Sequence, residues 1–316
     1  MKPIDYRPVE ERTPDYQYNR LLRQIMEQGK DKKPIHAGLK ENQGSGHSFA
    51  RELTHADPLT FDLSNGFPIL GHRDLTKTLV GGIAEISAFL NGARTLDELD
   101  SFGVPRFFWE RWVTKEKTAI WGLEEGDLGP GSYGPTLRAL PTANGPFDQV
   151  AALGETMKSF PMSRGLMITT RNPALALGSK EQGMPRCVVV EPCHGTTFHV
   201  HLFPERNEME VSSVQRSADV PVGLQFNIVQ WCTLGLILAM IHGYKYTRYT
   251  HHISSEQIYD TQFDSVNRLL ERPLKIFPTV HLEPETPYEN PWDLRKEHLR
   301  IEDYNPNPYF KISTPV

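Results

Sequence analysis

Cys193 is the residue whose type and setting first suggest chemistry. It stands in Pro192-Cys193-His194, after the apolar run Val188-Val189-Val190 and before the β-rich text that begins at Thr196. A cysteine at a strand edge becomes a nucleophile when nearby cations and polar groups favour its thiolate. The same three residues also describe an inert buried cysteine beside a surface histidine, so both readings stand on this text alone. Glu85 is the second candidate. It lies in helical text whose other positions (Leu79, Ile83, Ile86, Phe89) are apolar, and a lone carboxylate there is either paired or catalytic. As bare text, Trp109 and Trp112 read as core packing, and Tyr133 as an ordinary residue of a glycine-rich loop.

These residues need elements to hold them. Apolar spacing predicts helices over 16–28 and 75–91, a buried core helix over 226–242 and another helix over 254–271. Strand text follows residue 48 up to Asp62, and β-branched or aromatic runs predict strands over 165–170, 185–190, 196–203 and 208–214. Residues 122–146 are rich in glycine and proline and read as a long functional loop. Residues 1–15, rich in proline and charge, read as a flexible N-terminal arm, and 16–316 as a single domain. Strands and helices mix without strict βαβ alternation, which predicts an α+β fold.

Composition sets limits. The chain has 316 residues, 38% hydrophobic and 23% charged, enough for a packed core. A net charge of −5 argues against a nucleic-acid partner, while leaving room for a local basic pocket. Cysteines 187, 193 and 232 form no CxxC pair, so neither a disulfide framework nor a metal site is expected, and the cytoplasm is the expected compartment. The 226–242 stretch carries Asn, Gln, Thr and His and is read as too short and polar for a membrane span.

The segment from Gln215 to Ile228 closely resembles the QRSxDxxxGxPFNI signature of thymidylate synthases, with Cys193 upstream at close to the family spacing. Other short motifs follow in family order. Glu85 to Gly92 resembles ExxxFLxG, Trp109 to Trp112 resembles WxxW, and Gly126 to Gly134 resembles GDLGPxYG with one inserted residue. Asp148-Gln149 matches a helix start, Ser163-Arg164 and Asn172-Pro173 match parts of SRR and WNP, and Tyr304 to Lys311 resembles YDPHPxxK. The resemblance implies a large twisted mixed sheet flanked by helices, a homodimer, a pyrimidine nucleotide monophosphate substrate and 5,10-methylenetetrahydrofolate as one-carbon donor.

By the same resemblance Cys193 adds to carbon 6 of the pyrimidine, so that carbon 5 becomes nucleophilic. Arg216 binds the phosphate and favours the thiolate, Asn227 reads the ring edge, and Glu85 organises proton transfer, with His194 and Tyr133 near the ring. Ser217 and Tyr259 contact phosphate and ribose. Trp109, Trp112, Asp219 and the C-terminal Val316 serve the folate. Retained Asn227 favours dUMP over dCMP, because the related cytidylate hydroxymethylases carry Asp there.

Departures from the pattern are specific. Gln257 stands where the family has a ribose-binding histidine. Of the paired arginines that cross the dimer to the phosphate only Arg164 remains, followed by Gly165, and another phosphate arginine falls at Asn42. Lys40, Arg51 and Arg171 are candidate substitutes. The family's Trp-Asn-Pro becomes Arg171-Asn172-Pro173, and the text from Ser163 to Arg171 resembles phage-type dCMP hydroxymethylases more than ordinary synthases. These changes shift the expected product from dTMP toward 5-hydroxymethyl-dUMP, with thymidylate synthesis, dCMP or CMP hydroxymethylation, and a non-catalytic nucleotide binder as alternatives.

Overall fold

Apolar residues recurring at helical spacing give the helices that position the site in the computed structural model, which describes residues 2–33, 48–179, 181, 183, 185–284 and 288–314. In chain order they are α1 (Gln17–Gln28), α2 (Thr76–Leu90), α3 (Tyr133–Arg138), α4 (Gln149–Ser159), α5 (Leu224–His242) and α6 (Phe263–Leu270). The strands are β1 (Lys30–Lys32), β2 (Ala50–Leu53), β3 (Leu59–Asp62), β4 (Met167–Ile168), β5 (Thr197–Phe203), β6 (Glu208–Gln215), β7 (Ala218–Asp219), β8 (Lys245–Ile253), β9 (Glu256–Tyr259), β10 (Thr279–Leu282) and β11 (Leu299–Glu302). The fold is α+β, with mixed sheets flanked by helices.

Nine of these strands form two ladders, β3-β8-β6-β5-β4 and β1-β2-β9-β7, and β10 pairs with β11 alone. The two ladders are the two arms of one bent sheet. β6 and β8 run parallel and so do their continuations β7 and β9, with both ladders interrupted together at Arg216–Ser217 and Ser254–Ser255. Backbone bonds carry the pairing across the bend: Ser254 N–H donates to Gln215 O at 3.0 Å and Ala218 N–H to Ser255 O at 2.9 Å. Breaks of this kind bend strands and re-aim side chains.

One face of the five-stranded arm is apolar because its strands alternate. Phe198, Val200 and Leu202 of β5 and Met209 and Val211 of β6 are buried, while the residues between them are half-exposed. α5 lies under this face, buried along most of its length from Leu224 to Ala239, and packs against α2. It is longer than the stretch read from sequence and has the length of a membrane span, but it is buried within the protein. Asp148 opens α4 as the motif implies, its carboxylate accepting from the Ala151 amide at 3.0 Å.

Three local readings are corrected. Residues 1–15 are no loose arm where described: Ile4 joins the core, Pro3 O accepts from Tyr246 N–H, and the buried Arg12 donates to Phe277 O and to Thr279 Oγ1. Residues 185–190 form no strand, because their backbone groups pair outside any ladder, Cys187 N–H with Leu175 O of a short helix and Val189 N–H with Leu128 O of a loop. The helix expected over 254–271 begins only at Phe263. Before it, β9 completes the second ladder, where pairing with β2 outweighs local propensity.

Trp231 of α5 fixes the turn after Cys193. Gly195 there has φ of +59°, and a Cβ on it would lie 1.9 Å from the indole. Gly195→Ala therefore combines left-handed strain with a collision, and it should destabilise the protein by roughly 2–5 kcal/mol. Urea unfolding measures this, and an unchanged midpoint would contradict the packing described.

Candidate active site

The bend in the sheet opens beside Cys193. Arg216, the residue at the break in β6–β7, donates its backbone N–H to Cys193 O at 2.7 Å, so the segment before β5 is tied to the bend. A cleft of about 580 Å³ results, lined among others by Cys193, Arg216, Ser217, Gln257, Tyr259 and Trp112.

Tyr133 organises the thiol. The ring is 2% exposed, stacked on Phe89 at 4.5 Å on one side and on His194 at 4.6 Å on the other. Its hydroxyl accepts the Cys193 amide at 2.8 Å and donates toward Cys193 Sγ at 3.5 Å. Cys193 is half-buried. Burial pushes its thiol above the ordinary value, while the Tyr133 hydroxyl and the Arg216 charge pull it down and the Glu85 charge pushes it up again. The resting group is mainly a thiol, held where a bound partner can complete its ionisation.

Glu85 lies beneath, on α2. It is 9% exposed; Oε1 accepts from Trp109 Nε1 and Oε2 from Gln230 Nε2, each at 2.6 Å. Burial raises its carboxyl above the usual range and these two donors oppose the rise. A carboxyl raised in this way suits proton transfer. Trp109 is thus a support for Glu85, 8% exposed and edge-on to Phe89 and Tyr133, and it does not line the cleft. Trp112 does line it, with Lys117 Nζ 5.0 Å from its ring.

His194 is no surface histidine. Its Nδ1 accepts from Trp231 Nε1 at 2.9 Å, and burial pushes its pKa down to about 3. It is therefore neutral at ordinary pH and acts as packing between Tyr133 and Trp231. A second neutral histidine braces the bend. His251 Nε2 donates to Gln215 Oε1 at 2.8 Å, and Gln215 Nε2 donates to Ser217 O at 2.8 Å. His251 Nδ1 then accepts from Ser213 or Tyr249, whose hydroxyls lie within 2.9 Å. Burial pushes His251 down to about 3.

The remaining expected residues divide by location. Asn227 is 8% exposed, and its side chain has no hydrogen-bond partner among the described residues, which leaves both donor and acceptor for a ligand. Burial pushes Asp219 up to about 7, against the pull of Gln262 Nε2, which donates to both carboxylate oxygens at 3.1 Å. Gln257 Nε2 donates to Ser255 Oγ at 3.0 Å. Arg164 is exposed and does not line this cleft. Val316, Lys40 and Asn42 lie outside the described residues. Arg51 is bound to Asp31, and Arg171 is paired with Glu191, which also lies 3.8 Å from Arg216.

Several cleft residues were not singled out from sequence: Arg186, Glu191, Trp121, Lys117, Glu52 and Ser255. Arg186 sits in text read as a strand, where an isolated arginine gives no signal. The aromatic Trp121 at the start of the glycine-rich region was the one available cue.

A thiol hydrogen-bonded by a phenol, near a guanidinium charge and a buried carboxyl, is an arrangement fit for nucleophilic chemistry. A family model for thymidylate synthase matches residues 16–316, and the protein belongs to that family. The family transfers a one-carbon unit to carbon 5 of pyrimidine nucleotides and normally uses methylenetetrahydrofolate as cosubstrate, which makes this chain a folate-dependent transferase.

The state of Cys193 gives a direct test. Because burial raises its thiol, its alkylation by iodoacetamide, followed by mass spectrometry at that residue, should still accelerate above about pH 10, where an ordinary thiol levels off. A plateau reached below pH 8 would show a thiolate already formed.

Proposed function

We propose that the protein hydroxymethylates dUMP at carbon 5, through a covalent bond between Cys193 Sγ and carbon 6 of the ring. The observation that carries the reading is Cys193, held by the Tyr133 hydroxyl beside Arg216, in a fold whose Asn227 amide is unpartnered. Arg216 attracts the phosphate, and Asn227 offers its N–H₂ to O4 and its carbonyl to N3–H of uracil. The Arg216 charge brings the phosphate end of the substrate beside Cys193. The thiol gives its proton to water in the cleft, the thiolate's electron pair forms the S–C6 bond, and the C5–C6 π pair moves into the ring as an enolate. Carbon 5 takes up the one-carbon unit and gives up its proton, with Glu85 and its hydrogen-bonded neighbours as the nearest proton-handling group.

Methylenetetrahydrofolate supplies a one-carbon unit at the formaldehyde level and, in a synthase, also a hydride. The cleft suits it: Trp112, Ile120 and Trp121 give a flat apolar wall, and Lys117 stands beside Trp112 for an anionic tail.

The hydroxymethyl product rests on polarity near the nucleophile. Arg171, where the family has tryptophan, forms an ion pair with Glu191, and Glu191 lines the same cleft as Cys193. A charged pair holds water where an indole would exclude it. Water adds to the exocyclic methylene on carbon 5, and loss of the thiolate restores the ring. Trp112 and Trp121 favour the alternative of water exclusion and dTMP. Incubation with dUMP and methylenetetrahydrofolate, with both products identified by mass spectrometry, separates the two. Hydroxymethyl-dUMP with tetrahydrofolate is expected; dTMP with dihydrofolate would make the protein a synthase.

The active unit in this reading is a homodimer joined through the half-exposed face of the five-stranded arm. That face carries His199, His201, Ser212 and Thr250 in adjacent register, and Phe160, Met162 and Met167 are exposed beside Arg164. Light scattering of the purified protein should give about twice the 36.0 kDa chain mass, and a monomer at micromolar concentration would refute it.

A further inference from the structure

Three arginines lie at or behind the wall that leads into Cys193, with one carboxylate among them. Arg171 pairs with Glu191 behind the wall, Arg216 Nε lies 3.8 Å from the same carboxylate, and Arg186 lines the cleft with Glu191 and Arg216. One negative charge cannot balance three positive ones. Like charges this close, partly removed from water, repel one another unless an anion completes the set. The surplus of two matches the charge of a phosphate monoester near neutral pH.

The geometry of the surplus pair is alike. Arg186 Nε donates to Val188 O at 3.1 Å and its Nη2 to Val189 O at 3.4 Å. Arg216 Nη2 donates to Glu191 O at 3.3 Å and its Nε to Pro192 O at 3.5 Å. Both guanidinium groups are thus tethered to carbonyls of residues 188–192, the segment that ends at the nucleophile. Arg186 is further fixed by stacking on Trp121, 4.4 Å from its ring centroid, and both arginines line the cleft with Cys193. Two guanidiniums held in place ahead of binding lose little freedom when they take an oxyanion. Of the cleft lysines, Lys32 pairs with Glu52 at 2.9 Å, Lys117 donates to Arg111 O at 2.7 Å beside Trp112, and Lys33 is exposed.

We propose that Arg186 is a second phosphate ligand of this enzyme, acting with Arg216 on the 5′-phosphate of the nucleotide in place of arginines that this chain lacks. The inference rests on the reading of the substrate as a nucleoside monophosphate. It adds a consequence: phosphate bound to both guanidiniums also steadies the 188–192 segment, so the phosphate helps to place the thiol as well as to anchor the substrate.

The test compares wild type with Arg186→Gln and Arg186→Lys as full-length protein. Calorimetric Kd values would be measured for dUMP and for deoxyuridine, which shares the base and sugar but lacks the phosphate. Thermal unfolding would be followed with and without inorganic phosphate. Loss of a charge-assisted contact should weaken dUMP binding by roughly 10- to 100-fold in Arg186→Gln, with part recovered in Arg186→Lys and deoxyuridine binding unchanged. Equal dUMP affinity in wild type and Arg186→Gln would overturn the proposal, as would an equal loss for deoxyuridine. The inorganic phosphate arm is independent of base and reaction. If dUMP is not the substrate, phosphate should still raise the unfolding temperature of wild type more than that of Arg186→Gln. Equal stabilisation of both proteins would reject Arg186 as a ligand, whatever the enzyme makes. Matching unfolding temperatures without phosphate would show that Arg186→Gln folds normally.

Discussion

Two parallel strands leave their ladder at the same level, and the site exists because they do. At Arg216–Ser217 and Ser254–Ser255 the backbone stops alternating, and the hydrogen bond from the Arg216 amide to the Cys193 carbonyl brings the nucleophile's segment to that gap. A continuous ladder would have sent Arg216 and Ser217 to opposite faces of the sheet. The bend is braced from inside by His251 and Gln215, groups that must stay uncharged to hydrogen-bond as they do. A buried polar network of this kind gives one geometry with all of its members satisfied and is costly with any one missing.

The electrostatics of the site follow from what burial disfavours. Cys193, Glu85 and Asp219 are all shifted toward their neutral forms by loss of solvent, and each retains a neighbour that favours the charged form: Arg216 and Tyr133 for the thiol, Trp109 and Gln230 for Glu85, Gln262 for Asp219. At each group burial and neighbour thus act in opposite directions. His194 has no opposing partner, and its lowered pKa makes it a fixed neutral wedge.

Much of this was legible in the sequence where a residue's role is tied to local text. The Gln215–Ile228 segment announced Arg216 and Asn227, and apolar spacing announced α1, α2 and α5. What was missed depends on distant partners. β9 looked helical because its pairing with β2 reaches across some 200 residues, and 185–190 looked like a strand because its valines pack and line the cleft without a ladder partner. Arg186 carried no local signal, since its meaning comes from Trp121 and from the carbonyls it grips. Trp109 and Trp112 share one motif, but one turn of chain sends the first to Glu85 and the second to the cleft.

Several of the first dozen described residues bond to segments far along the sequence. Tyr6 donates to Val280 O, and Arg12 bonds Phe277 O and Thr279, across separations of 265 to 274 residues. Others reach less far, Arg7 to Ser64 O and Asp62, and Pro3 O to the Tyr246 amide. A contact between such distant residues stabilises nothing until a very long loop has closed. The seam between this segment and β10, with Ile4 buried in the core, is therefore a late, long-range closure in folding.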